Sequence, residues 1–280
     1  MSAGIDAGAG TPYLPIRLMK APSSKAAPTS RVALVTGAAD RVGAAIAERL
    51  AADGWSVVLH YRSSADKAKA TAARIESAGG KAALVQADLA DRPARAKLIA
   101  DAAQPFGPLT LLVNNASTFE RDSVADLAED LWDAHFAVHA EAPAFLARDF
   151  AAQLPEGAEG NIVNIVDERV LHLSPAHFSY TLSKSVLWTM TRTLAQSLAP
   201  RIRVNAIGPG LTVRPTRQSE ESWAASEQRL PLRHGTSPGE VAGAIMFLLA
   251  TPAITGQMIA LDGGEHIEWP ERRGPTPRRR

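Results

Sequence analysis

A chain of 280 residues, 46% apolar and 21% charged, has the make-up of one soluble globular domain with a substantial core. A net charge of +1 argues against a large nucleic-acid footprint, and the absence of cysteine removes disulfides and thiolate metal sites, as suits a reducing cytoplasm. No apolar run approaches the roughly 20 residues that span a bilayer; the longest, Val241 to Leu249, is short and broken by Gly243.

Residues 1–29 are rich in Ala, Gly, Pro and Ser without a sustained period and are expected to be an unfolded tail, with no apolar centre of a secretory signal. Residues 268–280, ending in Arg278-Arg279-Arg280, read as a second, basic tail. The folded domain is then 30–267. Within it, strands are predicted at 31–35, 55–61, 82–86, 109–114, 161–166, 201–206 and 257–261, separated by amphipathic segments. This alternation predicts an α/β, doubly wound parallel sheet of about seven strands with helices on both faces. Ligands bind such a sheet at the carboxyl ends of its strands.

The first strand is followed by Thr36-Gly37-Ala-Ala-Asp-Arg41-Val42-Gly43 and an alanine-rich helix. A glycine-bearing turn between strand and helix lets backbone amides approach a pyrophosphate at the positive helix terminus. The second strand ends in His60-Tyr61 and continues as Arg62-Ser63-Ser64, five residues expected to line the cofactor, at the place where an acid would hold a ribose 2′-hydroxyl. A guanidinium and two hydroxyls suit a 2′-phosphate instead, which favours NADPH over NADH.

The apolar run Ile162–Val166 leads into Asp167, thirteen residues before Tyr180; Lys184 follows four residues later on what reads as the opening turns of a helix. That spacing puts phenol and ammonium on one face, where the positive charge is expected to lower the tyrosine pKa and make it a proton donor. Tyr-x3-Lys alone describes a buried tyrosine beside a solvated lysine equally well. The glycine turn and the second strand are what give it weight.

Together these stretches resemble the short-chain dehydrogenase/reductase family, from about Arg31 to about His266, and the resemblance implies a Rossmann-like single domain. The family turn is usually TGxxxGxG, and Arg41 in place of the middle glycine resembles its pteridine reductases and dihydromonapterin reductases. By the same resemblance, Asp88-Leu89 contact the adenine and Asn114-Asn115-Ala116 support the strand end and cofactor. Ser117 stands where glycine is usual, Pro209-Gly210 contact the nicotinamide carboxamide, and Lys184 holds the nicotinamide ribose. Phe119 covers one face of a flat heterocycle. His139, on a long helix expected from about Ala125 to Ala152, takes the place of an asparagine that holds a relay water, and imidazole could pass a proton there. Residues 211–233 are expected to form a mobile lid, and Trp188 and Met190 to face either a neighbouring subunit of a homotetramer or the core. No residue is assigned to a metal.

Asp167 departs from the serine usual in the family. A carboxylate would repel the alkoxide formed when a ketone takes hydride, whereas a C=N bond gains a proton on nitrogen as its carbon is reduced. The expected activity is therefore NADPH-dependent reduction of a pterin, held by Arg41, Ser117, Phe119, Asp167 and Tyr180, with Tyr180 and Asp167 delivering the proton. The alternatives are a ketone or 3-oxoacyl reductase and a non-catalytic NADPH-binding regulatory protein.

Overall fold

The computed structural model of the protein describes residues 31–216 and 218–267; both expected tails lie outside the described residues. Seven parallel strands run in the order β3-β2-β1-β4-β5-β6-β7: β1 Val32–Val35, β2 Ser56–Tyr61, β3 Lys81–Gln86, β4 Leu111–Asn114, β5 Gly160–Ile165, β6 Ile202–Pro209 and β7 Met258–Leu261. Each predicted strand is present, and β6 continues three residues further than expected, carrying Pro209 into register with Leu261.

Central strands read as unbroken apolar runs because helices cover both faces of the sheet. Along β1, Ala33 and Val35 join one core with α1 (Arg41–Ala52), α2 (Ala65–Ser77) and α8 (Pro238–Ala250); Ile46, Leu50, Ile75, Val241 and Ile245 fill it. Val32 and Leu34, one residue out of phase, join the opposite core with α3 (Arg92–Ala103) and α5 (Ala142–Gln153), built on Leu98, Ile99, Leu146 and Phe150. The strand period of two thus assigns alternate side chains to opposite layers. β1 pairs with β2 on one side and with β4 on the other, so the chain reverses its winding beside the carboxyl end of β1. This is where a doubly wound sheet opens its ligand crevice.

Two helical segments differ from the sequence expectation. The long helix expected from about residue 125 starts at Glu129 as α4 (Glu129–Phe136) and widens into a π turn over Ala137–Glu141 before α5. The expected lid contains α7, Glu220–Glu227, started by Ser219, whose side chain accepts from the Ser222 amide. None of its residues is buried, so no apolar stripe marks it in the sequence. On α6 (Phe178–Leu198), Trp188 packs against Val166, Leu187 and Ala206 on the core side. Met190 lines an open apolar groove with Phe136, Leu182 and Val186. No helix among the described residues is long and apolar enough to cross a membrane.

The β1–α1 turn is clamped to the end of β4. Asn115 donates from Nδ2 to the carbonyls of Thr36 (2.8 Å) and Gly37 (3.1 Å), and the Thr36 hydroxyl accepts from the amides of Asn115 and Ala116. Gly37 has φ +64°, and a Cβ there would lie 2.9 Å from the Ala116 Cα. At Gly43 a Cβ would meet the Gly37 carbonyl oxygen at 2.2 Å. Neither neighbour can swing aside, because both are backbone. Gly43→Val is expected to destabilise the fold by about 1–3 kcal/mol and to weaken NADPH binding, read from urea midpoints and a fluorescence titration of the cofactor.

Candidate active site

The cofactor-side residues gather at the carboxyl ends of β1 and β2 and the amino end of α1. Asp40 starts α1 by accepting from the Arg41 amide at 2.8 Å, and its other oxygen is 2.5 Å from Lys67 Nζ. Arg41 adopts φ 54° and reaches across to donate to the Val213 carbonyl (3.2 Å), joining the turn to the 211–233 segment. Arg62, Ser63 and Ser64 are exposed at the tip of β2, where Gln86 Nε2 fixes the Arg62 carbonyl at 3.0 Å, and Tyr61 is half-buried behind them.

Two of the residues expected to touch the cofactor are instead internal. His60 is buried, its Nδ1 accepting from the Gly37 amide (3.1 Å) and its Nε2 donating to the Ala87 carbonyl (3.1 Å). With both nitrogens occupied, it spaces the glycine turn from the end of β3 and offers no side-chain atom to a ligand. The Leu89 side chain lies in the core, while Asp88 beside it is exposed. At the far end of the crevice Gly210 donates to the Leu261 carbonyl (2.9 Å), and a Cβ on it would come within 2.9 Å of Asp262.

The catalytic candidates meet as the spacing implies. Tyr180 and Lys184 lie one turn apart on α6, both buried, and the Tyr180 hydroxyl donates to Asp167 Oδ2 at 2.7 Å. The other oxygen, Oδ1, accepts from the Arg169 amide (3.0 Å) and guanidinium (3.3 Å), with Asp167 starting a 3-10 turn over Glu168–Val170. Lys184 Nζ donates to the Ile165 carbonyl at 2.8 Å and lies 5.7 Å from the centre of the Tyr180 ring.

This geometry corrects the expected tyrosine pKa. Burial first, then the charge of Asp167 and its hydrogen bond, push Tyr180 well above its ordinary value; Arg169 and Ser117 offset part of this. A carboxylate in contact outweighs an ammonium directed at a backbone carbonyl. Tyr180 therefore keeps its proton at neutral pH. Lys184 is itself lowered to about 8, by burial above all, with Asp167 opposing the shift.

His139, at the centre of the π turn, braces the site with both ring nitrogens in hydrogen bonds. Its Nε2 accepts from the Thr118 amide (3.3 Å) and lies 2.9 Å from Ser117 Oγ, while Nδ1 is 2.9 Å from Ser183 Oγ, which donates to the Tyr180 carbonyl. Those partners fix the tautomer with the proton on Nδ1. Burial, then Lys184 and His135, hold its pKa well below the ordinary range, so the ring is neutral. A π turn at this point re-aims the helix so that the imidazole enters the site.

A second network has no counterpart in the sequence reading. Asp122 accepts from the Ser179 amide (3.2 Å) and from its hydroxyl, and Ser179 Oγ in turn lies 2.7 Å from His135 Nδ1. The Asp122 carboxylate thereby satisfies an amide in the first turn of α6, at the positive end of the helix. His177, at φ 58°, bonds the Glu120 carbonyl (3.2 Å). These ties bring the 119–122 loop against α6. The Phe119 ring stacks on His177 at 4.4 Å and meets the Tyr180 ring edge-on at 4.8 Å, and the Arg169 guanidinium lies 5.5 Å from its centre. His177 and the Arg169 guanidinium both pack on the Phe119 ring, which remains 41% exposed. Partners 57 residues apart leave no local signal for Asp122, and Arg169 could have been suspected only from its nearness to Asp167.

A doubly wound parallel sheet with a glycine turn at its switch point and a Tyr-x3-Lys pair beside the fourth and fifth strand ends defines a dinucleotide-dependent oxidoreductase. Residues 37–266 match the family model described as enoyl-(acyl carrier protein) reductase. The chain belongs to the short-chain dehydrogenase/reductase family. Among solved structures it is similar to alternative dihydrofolate reductase 1 (FolM) of Brucella suis, crystallised with NADP: 48% identity, TM-score 0.82, covering 88% of this chain and 96% of that one. It is 33% identical to pteridine reductase 1 of Leishmania tarentolae over 85% of this chain and 96% of the relative. A 3-oxoacyl-[acyl-carrier-protein] reductase of Synechocystis sp. is 34% identical over 84% of this chain and 97% of its own length.

Burial ties His60 to pH. Its pKa falls from 6.5 to about 4 in the fold, so the unfolded chain binds the extra proton first and stability, full above 6.5, declines as pH falls through about 4. The loss should approach about 3 kcal/mol at the acid limit. His60→Asn is expected to lower the melting temperature at pH 7 and to flatten its dependence between pH 7 and 4.5, measured by calorimetry.

Proposed function

We propose that this protein is an NADPH-dependent reductase of a C=N bond in a pterin or folate-like ring. The observation that carries the reading is the Asp167 carboxyl, where the family usually has serine, hydrogen-bonded to Tyr180 at 2.7 Å. A lone tyrosine beside a serine hydroxyl suits a developing alkoxide; an acid in that place suits a nitrogen that must gain a proton. The dihydrofolate and pteridine reductases among the relatives support the same reading.

The crevice fits the cofactor. The amino end of α1 opens at the switch point, and Arg62, Ser63 and Ser64 at the tip of β2 form an exposed cationic, hydroxyl-bearing patch suited to a 2′-phosphate. Gly37, Arg41, Val42 and Gly43 would hold the pyrophosphate, Asp88 the adenine side, and Asn115, Ala116, Ser117, Lys184, Pro209 and Gly210 the nicotinamide side. NADPH, when bound, supplies the hydride.

The chain's own residues do the rest. Tyr180, protonated at neutral pH, shares its hydroxyl proton with Asp167 inside the site, and the pair supplies the proton that the ring nitrogen takes up. Arg169 holds the carboxyl in place through two bonds, and the exposed part of the Phe119 ring meets the heterocycle. Ser117, fixed beside His139, and Arg41 orient the polar edge of the ring. The apolar groove of Phe136, Leu182, Val186 and Met190 on α4 and α6 supports association of copies of the chain, read as a homotetramer.

Steady-state assays with NADPH and dihydrobiopterin, dihydromonapterin, dihydrofolate or an acetoacetyl thioester test the assignment. Turnover of a reduced pterin or folate is expected, falling roughly 10²–10⁴-fold in kcat for Tyr180→Phe; Asp167→Ser should lose pterin activity while leaving NADPH binding intact. Turnover confined to the thioester would establish the 3-oxoacyl reading instead, which the Synechocystis relative favours. Arg62→Asp is expected to raise the KM for NADPH at least roughly tenfold, with a smaller change for NADH.

A further inference from the structure

The acid next to Asp167 takes part in none of the contacts above. Glu168 is 2% exposed, and its Oε2 has no hydrogen-bond partner among the described residues. Its Oε1 lies 3.8 Å from the Arg169 guanidinium, beyond hydrogen-bonding distance. Glu265, in the 3-10 turn Glu265–Ile267 that follows β7, likewise has a buried Oε2 without a partner. His172 closes the group: one ligand atom from each of Glu168, His172 and Glu265 lies within 4.8 Å of the other two.

Two buried carboxyl oxygens with no donor among the described residues are expensive to hold as ions, several kcal/mol for an ion kept out of water. The cluster therefore calls for a positive species at its centre. A guanidinium is already present at the rim, and it serves Asp167 more closely, at 3.3 Å, than Glu168.

We propose that Glu168, His172 and Glu265 form a binding site for one divalent first-row cation, of the manganese or zinc class. Two carboxylates with one imidazole suit these ions better than magnesium, which favours oxygen ligands and keeps its waters. Small rotations of His172 and Glu265, both only partly buried, would draw the three atoms to bonds of roughly 2.0–2.2 Å and leave room for water ligands. The buried Glu168 is the fixed corner. The ion would join the 3-10 turn headed by Asp167 to the segment after β7, and so hold from behind the carboxyl that meets Tyr180. Its role is positional, since no ligand atom touches the reacting groups. Sequence alone hid the site, because Glu265 comes from a different strand end.

The test is a titration of the full chain with Mn2+, following the free-ion signal by electron paramagnetic resonance, with Zn2+ as competitor. One saturable Mn2+ per chain is expected, displaced by Zn2+. His172→Ala and Glu265→Gln should each weaken it roughly ten- to hundredfold, while Asp66→Asn, an exposed acid on α2, should leave it unchanged. His172 and Glu265 lie toward the surface, and the melting curve of each variant verifies its fold. Absence of saturable binding to the native chain, or unchanged affinity in the His172→Ala/Glu265→Gln double variant, would overturn the site and assign the buried pair a shared proton instead. Because the readout needs no substrate, that result would leave the pterin reading untouched, and failure of the pterin assays would not bear on the ion.

Discussion

The candidate active site depends on one partly buried hydrogen bond, from the Tyr180 hydroxyl to the Asp167 carboxyl. Tyr180 is buried and Asp167 partly so, and the acid raises the phenol far above its ordinary range while the phenol donates to the carboxylate. Serine in place of Asp167 would keep a donor for a substrate oxygen but would remove both effects. The chemistry open to this scaffold is set at that point, and the surrounding residues hold it in place.

How they hold it explains several otherwise costly features. Lys184 is buried, yet its charge is met by the Ile165 carbonyl and by Asp167 close by. His139 and His135 are buried neutral rings, stacked 5.7 Å apart, each set through a serine against α6: Ser183 beneath Tyr180 and Ser179 in the first turn. Neutral imidazoles suit this position, since a third and fourth positive charge beside Lys184 would be unfavourable in so dry a site. The π turn costs regular helical hydrogen bonding and in exchange places His139 between Ser117 and Ser183.

The cofactor end follows a different logic. There the contacts are backbone and glycine, clamped by Asn115 and spaced by His60, with the charged side chains left exposed at the strand tips. A rigid turn and a solvated cationic patch suit a phosphate ligand, whose charge tolerates water. The end that holds Tyr180 and Lys184 is buried, so the charges there act on one another with little screening by water.

Much of this was legible in the linear chain. Local periodicity determined all seven strands, the glycine turn and the helix carrying Tyr180 and Lys184, because each is encoded within a dozen consecutive residues. The replacement of serine by Asp167 could likewise be read by counting back from the tyrosine. Only the tertiary structure decided what those residues do to one another. Lys184 faces Ile165, so it does not set the tyrosine pKa; His60 is a spacer; His139 is a brace; Asp122, Ser179 and His135 form a network from segments far apart in the chain. The direction of a side chain, its solvent exclusion and its partners across the sheet depend on packing between elements, and periodicity within one element carries no record of them.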